Sequence, residues 1–356
     1  MMQPLQNLND TNNTEEALGI EVTSACNAAC LHCFVRSAAF QKSYLPYSMV
    51  KQIIREGYDA SFRRLHITGG EPLLWKDLIP ALDHAFELGY KKALINSNGS
   101  LLTRDVNHRL SAYEGLSVSI SLDGPETFHD SIRGKGSYKR TISRIENALD
   151  AGLNLFIFTT VCRTLLPDLM DFVHQISQRF PRMNGLTLIQ LIRVMDHHFA
   201  LSQELLDPDD FLRLVQSISL LNLFGLKTYL LRSPLLTVAS RLLRTPWIPQ
   251  PYPMYRYGSI FVLASGDIAL THSHRIGFCR YESGIIKRIL ASESYRKAVG
   301  PDSATCPTCE YVELCRECGM IRPSEPNVDM YPDVPYCQRV IRRLLQGLGD
   351  TLNPAH

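Results

Sequence analysis

No segment of this 356-residue chain approaches the run of about 20 apolar residues that a membrane-spanning helix needs, so no bilayer-crossing segment is expected. The opening stretch, 1–16, is polar and rich in Asn, Gln and Thr; it lacks the basic start and apolar core of a secretory signal. Net charge is also small. Lys and Arg total 37 against 35 Asp and Glu, leaving +2, and no basic block stands out. Neither a nucleic acid nor a membrane surface is therefore an expected partner. No internal repeat or extended low-complexity segment interrupts the chain. The cytoplasm is the expected compartment.

What the chain does have is cysteine: ten residues, at 26, 30, 33, 162, 279, 306, 309, 315, 318 and 337. A disulfide framework suits a small secreted protein, whereas a reducing cytoplasm favours metal or cluster ligation. The 45% hydrophobic content is enough for a sizeable core, and the length suits one large α/β domain with a smaller appendage.

From Ala17 to about Arg193, β-rich runs alternate with amphipathic stretches. Strands are predicted at 17–23, 64–68, 92–97, 116–122, 154–161 and 186–192, and helices at about 47–60, 76–89, 103–112, 138–151 and 167–179. In the stretch 138–151, Ile142, Ile145 and Leu149 recur at helical spacing while Lys139, Arg140 and Arg144 fall elsewhere. Six strand–helix units predict a parallel sheet, either open and twisted or curled into a partial barrel. A further helix is predicted at 208–223. Four prolines in the nine residues 245–253 exclude a helix or a central strand and mark a linker, taken as 245–257. Beyond it, strands at 258–264 and 267–271 flank Ser265-Gly266-Asp267 as a hairpin, and the Cys-rich segment 306–318 with a helix near 337–347 completes a C-terminal unit, 258–356.

Cys26, Cys30 and Cys33 follow the first strand with spacing C-x3-C-x2-C. A structural zinc site normally closes four ligands around one ion, whereas three soft thiolates from one loop suit an iron–sulfur cubane with one iron left open. A zinc site borrowing His32 or a distant residue is the alternative. A Gly-Gly-Glu-Pro turn, Gly69 to Pro72, follows the second strand. Its glycines allow close backbone approach to a ligand, and Pro72 also suits the first turn of a helix. Asn98, Ser121 and Arg133 stand in or after the segments that end strands three and four, where parallel-sheet and barrel enzymes bind ligands. Each also has a structural explanation, as turn residue or surface charge.

These motifs, in this order, resemble the radical S-adenosylmethionine (radical SAM) superfamily, with Leu31 where an aromatic residue is usual. The resemblance implies an α/β fold, a partial (β/α)6 TIM-type barrel over 17–244 with a helical extension, and a small Cys-rich C-terminal auxiliary-cluster domain. It implies a [4Fe–4S] cluster on Cys26, Cys30 and Cys33. It also implies S-adenosylmethionine bound by Gly69, Gly70, Glu71, Pro72, Asn98, Ser121 and Arg133, and cleavage to a 5′-deoxyadenosyl radical that abstracts hydrogen from a substrate C–H bond. An electron donor such as flavodoxin or ferredoxin and a peptide or small-molecule substrate would be its partners. The competing reading is a non-enzymatic zinc-binding or interaction protein.

The second group, Cys306-x2-Cys309-x5-Cys315-x2-Cys318 with Cys337, fits a zinc knuckle by spacing alone. It is similar to the SPASM or twitch extension of the same superfamily, with a shorter last interval. That resemblance implies one auxiliary [4Fe–4S] cluster on Cys306, Cys309, Cys315 and Cys337, with Cys318 ambiguous. A second auxiliary cluster is not expected, because Thr271 stands where the hairpin cysteine would be. Cys162 and Cys279 are candidate hydrogen donors, although a buried free cysteine more often serves as a small hydrophobe. Asp123 is a candidate proton acceptor or a turn residue. His272 and His274 are candidates for approaching the site, and His197-His198 read as loop histidines.

Overall fold

Residues 17–33, 35, 42–194, 201–231, 234–245, 260–270, 272, 277–295, 309–311, 330–331 and 334–352 are described by the computed structural model. The tail 1–16, most of the linker, and Cys306, Cys315 and Cys318 lie outside them, as do His197, His198, Thr271 and His274. Strands β1 (Ala17–Thr23), β2 (Arg64–Gly69), β3 (Lys92–Ser97), β4 (Leu116–Ser121), β5 (Leu155–Val161) and β6 (Gly185–Gln190) pair in sequence order, each parallel to the next. They match the expected strands to within two residues at every end. Helices α1 (Tyr47–Asp59), α2 (Leu78–Leu88), α3 (Arg104–Ser111), α4 (Glu126–Arg133), α5 (Ser137–Asp150) and α6 (Leu169–Arg179) make the connections. The stripe predicted on α5 is its buried face, Ile142, Ile145, Ala148 and Leu149.

The short strand β7 (Arg193–Val194) leaves the main sheet. α7 (Pro208–Leu223) then starts at a reciprocal capping box: the Asp207 carboxylate accepts from the Asp210 amide at 2.9 Å and Asp210 accepts from the Asp207 amide at 3.3 Å. A seventh strand that sequence patterning missed, β8 (Thr228–Leu231), adds parallel to β6 and is followed by α8 (Pro234–Leu242).

The described part of the C-terminal segment joins the main sheet. β9 (Ile260–Val262) pairs parallel with β1, and β10 (Asp267–Ala269) and β11 (Gly277–Arg280) continue the sheet antiparallel, giving the order β11-β10-β9-β1-β2-β3-β4-β5-β6-β8. Gly19 makes the β1–β9 junction possible: a Cβ there would lie 2.3 Å from the ring of Phe261, its partner across the pair. α9 (Ile285–Leu290) is fastened to α1, because Glu56 accepts from the Tyr281 hydroxyl and the Gly284 amide, both at 2.8 Å. β12 (Met330–Tyr331) pairs with β7, and α10 (Val334–Leu352) packs on α7, with Arg343 donating to Asp209 at 2.6 Å.

The sheet is curled. Leu94 of β3, Leu231 of β8, Phe261 of β9, Leu263 just after β9, and Ala269 of β10 form one buried apolar cluster on its inner face, with Phe158 of β5 and Ile189 of β6 packed against it. Side chains from strands far apart in the sheet order meet there, as a partial barrel requires. The larger core lies between the outer face and the helices. Among the described residues, no helix is long and apolar enough to cross a membrane.

Candidate functional site

A cavity of about 170 Å³ opens at the C-terminal ends of the parallel strands, above the inner apolar cluster. Cys26, Cys30 and Cys33 line it from the loop after β1, together with Gly69 at the end of β2 and Gly70 after it, Asn98 after β3, Ser121 at the end of β4, and Arg133 at the end of α4. Eight residues chosen from separate motifs in the sequence thus line one cavity.

The cysteine loop is held by three backbone hydrogen bonds. The Gly70 amide donates to Thr23 O at 2.7 Å and the Glu71 amide to Ala25 O at 2.8 Å, while the Leu31 amide donates to Ile132 O at 3.0 Å. A Cβ on Gly70 would lie 2.4 Å from the Ala25 carbonyl oxygen. Glycine is therefore needed here so that the turn can touch the cysteine loop, a closer reason than approach to a ligand.

Glu71 and Pro72 differ from the expectation. Neither lines the cavity; both are buried behind its wall. The fully buried Glu71 carboxylate accepts from Ser97 Oγ at 2.8 Å, the Asn98 amide at 2.8 Å and the Leu73 amide at 3.2 Å. Burial raises its pKa, and those three donors pull the other way. The residue braces the end of β3 against the β2 turn.

Arg133 is already engaged. Its Nε donates to Asp123 Oδ2 at 2.5 Å, Nη1 to Cys30 Sγ at 3.6 Å, and Nη2 to His32 Nε2 at 3.3 Å. Asp123, 1% exposed, also accepts from the Thr160 amide at 2.8 Å, so a free proton-acceptor role for it does not fit. Burial alone would push its carboxyl up, but Arg133, His32 and these hydrogen bonds outweigh that and hold it down to about 2. Because the folded value lies below the unfolded one, about 3.9, the stabilisation is complete above pH ~4 and is lost as pH falls through about 2. The expected contribution is about 2–3 kcal/mol. Urea unfolding of the metal-free chain and of Asp123→Asn should show the difference between them closing below pH 4, and a constant difference would contradict it.

On the cysteine side, Cys26 Sγ accepts from the Ala28 amide at 3.4 Å and from Asn98 Nδ2 at 3.7 Å. Burial raises the pKa of both Cys26 and Cys30, opposed at Cys30 by the Arg133 charge. Among the described residues no three His, Cys, Asp or Glu side chains converge as a single metal ion requires. Three thiols spread around one cavity and supplied with N–H donors instead fit a polynuclear sulfur-bridged cluster, whose ligands stand further apart than those of one ion.

The hydrogen-donor candidates are not in the cavity. β5 alternates, so Phe158 and Thr160 face inward, but the strand ends at Val161. Cys162 turns instead into a small adjoining pocket with Asp123 and Glu204, 4% exposed. Burial and its hydrogen bond to Glu204 push its thiol up to about 12. Cys279 pairs with Ile268 on the outer hairpin and does not line the cavity either. Cys162→Ala is expected to change 5′-deoxyadenosine formation by less than about twofold while costing about 1 kcal/mol of stability. Product chromatography and a urea titration check both.

Several lining residues were not singled out as site residues from the sequence: Ser119, Thr160, Phe158 and Gln190. The period-two alternation of β4 and β5 would have flagged the first three. His272, one of the two histidines noted, does reach the cavity, held at 2.8 Å from the fully buried Glu21. Gln190 donates to the Tyr336 hydroxyl at 3.1 Å, tying α10 to the cavity wall. Next to Tyr336, Cys337 is buried, and Cys309 is partly exposed.

Residues 20–175 match the family model described as the radical SAM superfamily. Mycofactocin maturase MftC of Mycolicibacterium smegmatis is 31% identical over 163 residues, covering 45% of this chain and 41% of that protein. The AdoMet-dependent heme synthase of Nitratidesulfovibrio vulgaris is 31% identical over 169 residues, covering 46% and 45%. The chain thus spans less than half the length of these curated relatives. Two solved structures share the fold. Native anSMEcpe with bound AdoMet and Kp18Cys peptide has a TM-score of 0.69 at 16% identity, covering 94% of this chain and 99% of that one. SuiB of Streptococcus suis bound to S-adenosylmethionine has 0.65 at 16%, covering 84% and 72%.

Proposed function

We propose, from the match of residues 20–175 to the radical SAM superfamily model, that the protein is an enzyme that cleaves S-adenosylmethionine reductively and uses the product to functionalise a C–H bond. The observation that carries the reading is the convergence of Cys26, Cys30 and Cys33 on one cavity with the Gly69-Gly70 turn. A [4Fe–4S] cluster on these three thiolates would supply the electron that cleaves S-adenosylmethionine to a 5′-deoxyadenosyl radical, which abstracts hydrogen. The chain's own groups do the rest. The Gly69-Gly70 backbone, Asn98, Ser121 and Arg133, which line the cavity, would hold S-adenosylmethionine. Phe158, Ile189 and Leu191 give an apolar wall that limits water, and Thr160, Gln190 and His272 offer polar groups to the substrate.

The substrate class is a peptide or protein side chain. MftC is a maturase, and the anSMEcpe structure and a SuiB structure are described with peptides bound. A small metabolite is the second reading, favoured by the similarity to the heme synthase. One auxiliary [4Fe–4S] cluster on Cys306, Cys309, Cys315 and Cys337, with Cys318 as a substitute ligand, and a flavodoxin or ferredoxin as electron donor complete the reading.

Anaerobic reconstitution with iron and sulfide tests it. About eight irons per chain and 5′-deoxyadenosine after reduction support it. Stoichiometric zinc with no nucleoside product would instead indicate a zinc-binding protein. Repeating the reaction in deuterated water with candidate peptides separates epimerisation, which incorporates deuterium, from oxidation.

A further inference from the structure

Arg133 stands out because all three nitrogens of its guanidinium are engaged by the protein's own groups. The side chain is 11% exposed, and its three nitrogens address Asp123, Cys30 Sγ and His32. Asp123 is in turn fixed by the Thr160 amide, and the Asp123 amide donates to His129 Nδ1 at 3.0 Å. The pair is therefore a built feature with a fixed orientation: the cation faces the thiol and the carboxylate stands behind it.

We propose that the Arg133–Asp123 pair sets the reduction potential of the cluster on Cys26, Cys30 and Cys33, Arg133 raising it through its charged hydrogen bond to Cys30 and Asp123 moderating that effect. Reduction adds one negative charge to the cluster. A guanidinium donating to a ligand sulfur stabilises the added charge, and hydrogen bonds to sulfur are among the main determinants of cluster potential. A buried carboxylate behind the guanidinium opposes it, since burial weakens solvent screening for both. Arg133 is on this reading a positioning and tuning residue rather than only a contact to S-adenosylmethionine. The inference rests on the proposed cluster site.

The pair makes an unusually discriminating test, because its members should act with opposite sign. The reconstituted full chain is titrated anaerobically with dithionite, and the fraction reduced is followed by electron paramagnetic resonance, with no substrate or turnover. Arg133→Met should lower the ratio of reduced to oxidised cluster at fixed potential by about tenfold, or about 59 mV for a one-electron couple. Asp123→Asn, which keeps the shape, should raise it. Arg133→Lys, which keeps the charge but loses the planar fork, should fall between wild type and Arg133→Met. If Arg133→Met fails to fold because Asp123 is left buried and unpaired, the Arg133→Lys and Asp123→Asn shifts still decide the matter. Midpoints unchanged in both, or moved in the same direction, overturn the inference. A wild-type chain that binds no iron overturns the site reading instead, so the two failures are distinguishable.

Discussion

Replacing Cys30 with alanine is expected to lower 5′-deoxyadenosine formation more than about a hundredfold. Loss of groups that only support metal ligands costs about 10–100-fold, and a ligand thiolate contributes more directly than they do. Three local thiols line the cavity, so removing one leaves two, too few to hold a cubane from this loop. The fold should survive the change. The Leu31–Ile132 backbone bond and the Arg133–Asp123 pair that position the loop do not use the Cys30 thiol. The expected signature is therefore a loss of about four irons per chain with an unchanged urea midpoint for the metal-free protein. A Cys30→Ala variant that retains its iron and still forms the nucleoside would refute the assignment of the site.

Glu71→Ala should have the larger effect on the protein itself, about 3–5 kcal/mol of lost stability. The carboxylate is fully buried and serves three donors, Ser97 Oγ and the amides of Asn98 and Leu73, all of which alanine would leave unanswered. The damage should also spread to the site without direct contact. Asn98, released from Glu71, would no longer present its Nδ2 to Cys26 Sγ and to Asn27, and the turn would lose its grip on the cysteine loop. Glu71→Gln keeps the volume but gives up an acceptor oxygen, and should cost roughly half as much. Urea titration with iron analysis separates the cases: a stable Glu71→Ala chain that loads iron normally would show that the brace is unimportant.

The legibility of this protein from its sequence follows the range of the interactions involved. β1 to β6 alternate with helices whose apolar stripes are local, so strand positions, parallel pairing and the ends that carry the site could be read from periodicity. The cysteine spacing and the Gly-Gly-Glu-Pro turn are local too. What escaped detection depends on distant partners. The pairing of β9 with β1 joins residues about 240 positions apart, and nothing in the Ile260–Val262 stretch names its neighbour. Glu71 read as a ligand because it sits in a recognisable turn, and only three-dimensional placement shows its carboxylate facing away from the cavity. Asp123 read as a reactive group or a turn residue, whereas its ten-residue separation from Arg133 conceals a tight ion pair. Cys162 followed an inward-facing alternation that ended one residue too early.

The insertion of β9 beside β1 also bears on how the chain reaches its native state. As the chain is made, β1 finds β2 on one side almost at once, but among the described residues its other edge has no strand partner until residues 260–262 have been made. Throughout that interval the nascent chain carries an open strand edge, a template for mispairing with other chains. The floor of the cavity is unfinished for the same period, since Glu21 waits for Ala264 and His272. The sheet can be completed only late in synthesis, and the high sequence separation makes that closing step a slow one.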